Sequence, residues 1–195
     1  MRVDASSGRI EDVAWRASPN RGPRPAGCLP SLIVVHGISL PAGEFGGGHI
    51  EALFTNQLDT RDDPRFAHLA GLRVSAHALI ARDGAVTQFV ALTERAWHAG
   101  SSVFQGRREC NDFAIGIELE GSDSAGYREI QYQRLEALVS ALRAAYPAIG
   151  ADRVVGHCHI APGRKSDPGP AFDWARLERN LGIRPPVTQA PVAAP

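Results

Sequence analysis

The segment Ser31-Leu32-Ile33-Val34-Val35-His36 is a continuous run of apolar and mostly β-branched residues that ends at a histidine. A run of this kind, without polar alternation, is typical of a strand buried on both faces of a sheet. Two further segments predict strands of the same sheet: Phe113 to Leu119, which carries Glu118, and Val154-Val155, which precedes His157. Polar side chains therefore stand at or near the ends of all three predicted strands.

Helical patterns alternate with these strands. From Ile130 to Tyr146 apolar residues recur at spacings of three and four, which predicts an amphipathic helix that Pro147 ends. A last helix is predicted from Trp174 to Leu181, closed by Gly182.

The dipeptide Asp83-Gly84 predicts a tight hairpin between strands at Val74 to Ile80 and Ala85 to Val90. Interleaved strands and helices around one sheet favour an α/β fold, with α+β as the alternative. We predict a mixed central β-sheet flanked by helices.

A chain of 195 residues fits one domain with tails. Residues 1–30 contain several prolines and no sustained period, so we expect an extended N-terminal arm with Trp15 as its anchor. Residues 31–182 form the predicted domain. Residues 183–195 are rich in proline and alanine and predict a disordered tail.

Composition excludes several classes of protein. The 21 basic residues balance 21 acidic ones, which argues against a nucleic-acid binder. No apolar stretch approaches the ~20 residues that span a bilayer, and the first residues lack the pattern of a signal peptide. Three scattered cysteines, at positions 28, 110 and 158, suit a reducing compartment. We therefore expect a cytoplasmic protein without a membrane partner.

Residues 156–170, Gly-His-Cys-His-Ile-Ala-Pro-Gly-Arg-Lys-Ser-Asp-Pro-Gly-Pro, predict a rigid functional loop. Prolines restrict its course, and it presents His157, Lys165 and Asp167. With His36, two imidazoles and one carboxylate make a recurrent catalytic zinc arrangement that leaves one position open. A single histidine at a strand end is more often structural. Cys158, between two histidines, could be a metal ligand but is better explained as a small packed residue. The joint pattern nevertheless favours a metal site.

The chain resembles the zinc N-acetylmuramoyl-L-alanine amidases, and among them the cytosolic enzymes for 1,6-anhydro-N-acetylmuramoyl-L-alanine. The resemblance covers most of residues 31–177. It is carried by residues 36–41 (His-Gly-Ile-Ser-Leu-Pro), 43–47 (Gly-Glu-Phe-Gly-Gly), 73–77 (Arg-Val-Ser-Ala-His), 95–100 (Arg-Ala-Trp-His-Ala-Gly), 110–113 (Cys-Asn-Asp-Phe), 115–121 (Ile-Gly-Ile-Glu-Leu-Glu-Gly) and 156–174.

The resemblance implies a fold shared with peptidoglycan recognition proteins and assigns residues to roles. His36, His157 and Asp167 would bind Zn²⁺, and Glu118 and Lys165 would be the catalytic pair. Plausible substrate contacts are Arg73, Trp97, Asn111 and Arg164, although each could equally be scaffold. For Glu118 and Glu120, which alternation places on one face, the alternative is a pair of solvated carboxylates on an edge strand.

The implied reaction is hydrolysis of the amide between 1,6-anhydro-N-acetylmuramic acid and L-alanine, a step of cell-wall recycling, by a monomer acting on small muropeptides. Two rivals remain: an amidase of intact peptidoglycan, and a non-catalytic peptidoglycan-binding module of the same fold. Two positions depart from the family pattern. Gly37 replaces a side-chain amide, and His159 replaces an acidic residue and offers an alternative ligand.

Overall fold

The computed structural model describes residues 1–186 of the chain. Its strands are β1 (Val3–Asp4), β2 (Arg9–Ile10), β3 (Ala14–Trp15), β4 (Arg21–Pro23), β5 (Leu32–Ile38), β6 (Ala78–Ile80), β7 (Val86–Gln88), β8 (Glu94–Ala96), β9 (Val103–Phe104), β10 (Arg107–Arg108), β11 (Ala114–Glu120) and β12 (Val154–Gly156). Its helices are α1 (His49–Phe54), α2 (Glu129–Ala145), α3 (His157–Ile160) and α4 (Trp174–Leu181), with 3-10 turns at Pro64–Leu69 and Cys110–Asp112.

A six-stranded mixed sheet in the order β12-β5-β11-β6-β7-β3 forms the centre of the molecule. The first four strands of that order run parallel, and β7 pairs antiparallel with β6. The α/β prediction is thereby confirmed. All seven residues of β11 are buried, as are the first five of β5. Glu118 and Glu120 thus lie on a buried inner strand, and the alternative of solvated edge carboxylates is wrong.

The predicted amphipathic helix is α2, displaced by one residue at each end. Its apolar stripe, Leu135, Leu138, Val139 and Leu142, is fully buried against one face of the sheet. Helix α4 packs beside α2, where Arg176 donates to Glu136 over 2.6 Å. Gly182 ends α4 with φ +65°, the left-handed conformation that glycine adopts without strain.

A second apolar cluster lies against the hairpin of β6 and β7. It includes Leu40, residues from α1 such as Phe54, and Phe66 from the following 3-10 turn. This cluster supports the segment from residue 39 to residue 74, which becomes one wall of the cleft described below.

The N-terminal residues are part of the fold. Strand β3 extends the central sheet by pairing parallel with β7, and β4 pairs with β8. Trp15 lies in this edge strand, partly buried, under the guanidinium of Arg9. The arm predicted for residues 1–30 therefore contributes the outermost strand of the sheet.

At the other end, Ile183 is fully buried in the main core, and Arg184 donates its N–H to the Ala151 carbonyl over 2.9 Å. Packed structure continues beyond the boundary predicted at residue 183, while residues 187–195 of the predicted tail lie outside the described residues. Within residues 1–186, no helix combines the length and apolar character needed to cross a membrane.

Candidate metal centre and cleft

Three parallel strands bring the predicted site residues to one edge of the sheet. His36 and Glu118 are directly paired neighbours across β5 and β11. His157 follows immediately after β12, which pairs with the other side of β5. The carboxyl ends of parallel strands meet at one edge, and crevices there are where open α/β sheets bind ligands.

His36, His157 and Asp167 converge on one point. The Nδ1 atoms of the two histidines are 3.0 Å apart, and Asp167 Oδ2 lies 3.0 Å from the first and 3.1 Å from the second. These three donor atoms all lie within 4.8 Å of one another. Two imidazole nitrogens and one carboxylate oxygen form the donor set of many catalytic zinc sites, so the residues fit that ion.

The electrostatics of this triad favour the forms that bind metal. Burial lowers the pKa of His36 to about 4, so its imidazole stays neutral at pH 7. Burial alone would raise the pKa of Asp167, but its contacts with the rings of His157 and His36 outweigh burial and lower the pKa overall. Neutral imidazole and ionised carboxylate are the protonation states that a metal requires.

Glu118 and Lys165 lie in the same cleft, a cavity of about 270 Å³ that all three triad residues also line. Glu118 is buried, and its Oε2 atom has no hydrogen-bond partner among the described residues. Burial, followed by the charge of Asp167, raises the pKa of Glu118 well above its usual value, whereas the charge of Lys165 lowers it. A larger groove of about 680 Å³ along residues 19–29 contains none of the predicted site residues.

The residues predicted to contact substrate separate into two groups. Trp97 lines the cleft, and its indole N–H has no partner in the described part of the chain. Arg73 is exposed and lines an adjoining pocket of about 140 Å³. Asn111 and Arg164 do not line the cleft. Asn111 accepts from the backbone of His98 and Ala99, and Arg164 donates to the carbonyls of Ala99 and Ser101.

The two departures from the family pattern have structural explanations. His159 turns away from the triad: its Nδ1 accepts the Gly156 N–H over 2.8 Å and its ring packs on Trp174. At Gly37 a Cβ atom would lie 2.2 Å from the hydroxyl of Tyr127, so this tyrosine occupies the space that a side chain would need.

Sequence reasoning missed one residue at the centre, His98. Its Nδ1 lies 2.9 Å from His36 Nε2, on the side of that ring opposite the triad. The motif of residues 95–100 contains this histidine, but nothing in the spacing of the motif indicates which ring it contacts.

Comparison with known proteins agrees with this geometry. The family model described as N-acetylmuramoyl-L-alanine amidase matches residues 26–170. The chain belongs to the N-acetylmuramoyl-L-alanine amidase family. Its reaction is therefore amide hydrolysis.

Individual members of the family give a finer comparison. The chain is 60% identical over 180 residues, 89% of its length and 96% of the relative's, to the 1,6-anhydro-N-acetylmuramyl-L-alanine amidase AmpD of Salmonella typhimurium. A crystal structure of a selenomethionine AmpD derivative superposes with a TM-score of 0.88 at 53% identity, over 94% of this chain and all of that one.

A more distant solved structure, with 31% identity and a TM-score of 0.58, is a complex of the amidase AmiD of Escherichia coli with the substrate anhydro-N-acetylmuramic acid-L-Ala-D-γ-Glu-L-Lys. The match covers 82% of this chain and 61% of AmiD.

Proposed function

We propose that this amidase uses one zinc ion to hydrolyse the amide between 1,6-anhydro-N-acetylmuramic acid and L-alanine in released muropeptides, a step of cell-wall recycling. One observation carries the proposal: His36, His157, Asp167, Glu118 and Lys165 all line a single cleft at the carboxyl edge of the sheet. The choice of substrate is supported by the 60% identity to a relative named for this bond.

The triad would hold the ion through His36 Nδ1, His157 Nδ1 and a carboxylate oxygen of Asp167. When bound, zinc supplies Lewis acidity, which lowers the pKa of water and polarises a carbonyl. A site with three protein ligands also leaves a position open to the cleft, as catalytic zinc sites do.

Glu118 is the proposed general base and acid. It is the register neighbour of His36 and has a buried carboxylate oxygen free of partners among residues 1–186, so it can take a proton from water in the cleft. The raised pKa of Glu118 lies closer to neutral pH than that of an ordinary glutamate. A group whose pKa is near the working pH both accepts and returns protons efficiently. The proton would then pass to the departing amine of L-alanine.

Lys165 is the proposed stabiliser of the oxyanion. It is exposed on the loop that carries Asp167, and its backbone N–H donates to Ala161 over 3.1 Å, which fixes the start of that loop. An ammonium group at the rim of the cleft suits the negative charge of a tetrahedral intermediate.

Trp97 and Arg73 are the proposed substrate contacts. The unpartnered indole N–H of Trp97 would donate to an amide or sugar oxygen, while its ring face suits a sugar. Arg73, in the adjoining pocket, would reach the peptide carboxylates. Asn111 and Arg164 are engaged with backbone, and we assign them to support of the site.

The two rival functions make different predictions in one assay. Purified protein is incubated with anhydro-muropeptide or with intact sacculi, each with and without chelator, and products are separated by chromatography. The proposal expects cleavage of the soluble fragment, loss on chelation and recovery with zinc. Preferential release from sacculi would favour an amidase of the intact wall, and binding without cleavage would favour a non-catalytic module.

We further propose that the protein acts as a monomer in the cytoplasm, where such fragments would be recycled. Sedimentation at assay concentration checks the first point, and fractionation of cells that express the full chain checks the second. A dimer, or recovery from the cell envelope, would contradict these assignments without affecting the chemistry.

A further inference from the structure

We propose that the dipeptide His98-Ala99, held in place by Asn111, orients both histidine ligands and fixes each in the tautomer that presents Nδ1 to the metal. The inference rests on the proposed zinc site. His98, Ala99 and Asn111 lie outside the proposed ligand set and act on the metal through His36 and His157, so they are positioning residues.

The shorter contact of His157 Nε2 is with an acceptor, although the donor Arg164 Nη2 also lies 3.4 Å from that nitrogen. His157 Nε2 lies 3.1 Å from the carbonyl oxygen of Ala99, and a carbonyl oxygen can only accept. The shorter contact, with the carbonyl, places the ring proton on Nε2, which leaves the lone pair on Nδ1, the atom that faces Asp167. Histidine ligands almost always donate their second ring N–H to such an acceptor.

His36 is held in the same way by the neighbouring residue. Its Nε2 lies 2.9 Å from His98 Nδ1, while its own Nδ1 faces His157 and Asp167. Coordination through His36 Nδ1 requires the proton on Nε2, so His98 Nδ1 must accept and His98 must carry its own proton on Nε2. Two consecutive residues thus supply the acceptors for both histidine ligands.

Asn111 fixes the dipeptide itself. Its Oδ1 accepts the backbone N–H of His98 over 3.1 Å and that of Ala99 over 2.8 Å. One side-chain oxygen therefore positions the residue that contacts His36 and the residue that contacts His157. Arg164 also donates to the Ala99 carbonyl, over 2.7 Å, and the two lone pairs of that oxygen accommodate both donors.

The sheet provides space for the ring of His98. A Cβ atom on Gly116 would lie 2.4 Å from His98 Cγ and 2.7 Å from its Nδ1. A residue with a side chain at position 116 would push the ring away from His36. Gly116, in the middle of buried β11, therefore leaves the space that the His98 ring occupies.

The first test measures zinc affinity by competition with a chromogenic chelator. His98→Phe removes the acceptor and keeps an aromatic ring, whereas His98→Asn keeps an acceptor atom at the position of Nδ1. Asn111→Leu and Asn111→Asp form a second pair, without and with the side-chain oxygen. We expect His98→Phe and Asn111→Leu to bind zinc about 10–100-fold more weakly, the range typical for loss of a hydrogen-bond partner of a metal ligand. His98→Asn and Asn111→Asp should bind zinc with an affinity close to that of wild type.

His49→Phe is the matched control, because this partly buried histidine packs on Phe66 in the cleft wall and touches none of the three ligands. Its affinity should equal that of wild type. Equal affinity in all five variants would overturn the inference and leave the proposed function intact. Failure of the wild type to bind zinc would instead contradict the proposed function.

The second test needs no variant. Nitrogen-15 spectra of the zinc-loaded wild type report which ring nitrogen of each histidine carries a proton. We expect protons on Nε2 of both His36 and His157, with slow exchange. Coordination of either ring through Nε2 would overturn the inference whatever the variants show.

Discussion

At the scale of single residues, the surroundings of three ionisable groups in the site shift the pKa of each in the direction that its proposed role requires. His36 is buried with a lowered pKa, Asp167 is held ionised by its two histidines, and Glu118 is buried with a raised pKa. Burial thus acts in opposite directions on an imidazole and on a carboxylate, and it makes each less charged. Only Asp167, in contact with the rings of His157 and His36, is kept charged against that trend.

Substitutions should therefore separate catalysis from metal binding. Glu118→Gln keeps shape and removes the base, so we expect roughly 10²–10⁴-fold lower turnover with full zinc content. Lys165→Ala should lose about 10²–10³ in kcat with zinc retained. Asp167→Ala should lose both zinc and activity. Metal analysis beside steady-state kinetics checks all three, and near-normal turnover of zinc-loaded Glu118→Gln would make Glu118 scaffold.

Gly37 and Tyr127 give a second prediction at this scale. A Cβ atom at position 37 would meet the Tyr127 hydroxyl at 2.2 Å but the ring carbon beneath it at 3.5 Å. Gly37→Ala should therefore destabilise the wild type, by about 1–3 kcal/mol as overpacking does, and much less in a Tyr127→Phe background. A double-mutant cycle by urea unfolding measures the coupling. Additive free energies would show that Tyr127 does not occupy that space.

At the scale of elements, much of the structure could be predicted from the sequence because its signals are local. The apolar run of β5, the periodicity of α2 and the glycine that ends α4 all indicate the elements observed. That His36 and His157 lie together could be predicted because parallel strands bring their carboxyl ends to one edge, whereas Asp167 was placed with them by the rigid loop and the family resemblance. The contacts of His98 with His36 and of Asn111 with the backbone of residues 98 and 99 could not be predicted. They depend on how side chains distant in sequence are oriented in the folded protein.

The contact that Gln131 makes between helix α2 and the sheet could not be predicted from the sequence either, and it can be tested. Gln131 is fully buried at the start of α2, where its Nε2 donates to the Glu120 carbonyl over 2.9 Å and to Ile80 over 3.2 Å, and its Oε1 accepts the Arg128 N–H. It joins the helix to the ends of β11 and β6.

Gln131→Leu should leave those carbonyls unpaired and lower the free energy of unfolding by roughly 1–3 kcal/mol. The matched control is Gln133→Leu on the exposed face of the same helix, which loses only a hydrogen bond to Glu129. Its effect should stay within about 0.5 kcal/mol, as for most surface changes. Equal effects in chemical denaturation would mean that Gln131 does not join helix and sheet.

At the scale of the whole molecule, the N-terminal residues and the catalytic edge form one unit. The sequence predicted an arm for residues 1–30, because strands of two or three residues leave no periodic signal. The connection is made by Arg24, whose guanidinium donates to carbonyls of four residues from two segments: Leu92, Asn111, Asp112 and Ala114. Burial lowers the pKa of Arg24 to about 10, which still leaves it charged at pH 7.

Arg24→Met should therefore destabilise the protein strongly, by roughly 3 kcal/mol, because four partly buried hydrogen bonds to carbonyls are lost at once. Arg24→Lys should rescue little, since one ammonium cannot reproduce the planar fork that reaches acceptors on both segments. Arg2→Met is the control: Arg2 is exposed and, within residues 1–186, forms its ion pair with Glu11. Because Arg24 binds the backbone at Asn111, its loss should also weaken zinc binding, measured by the same chelator competition. An Arg24→Met variant with a lower free energy of unfolding but the zinc affinity of wild type would show that Arg24 stabilises the N-terminal residues without affecting the metal centre.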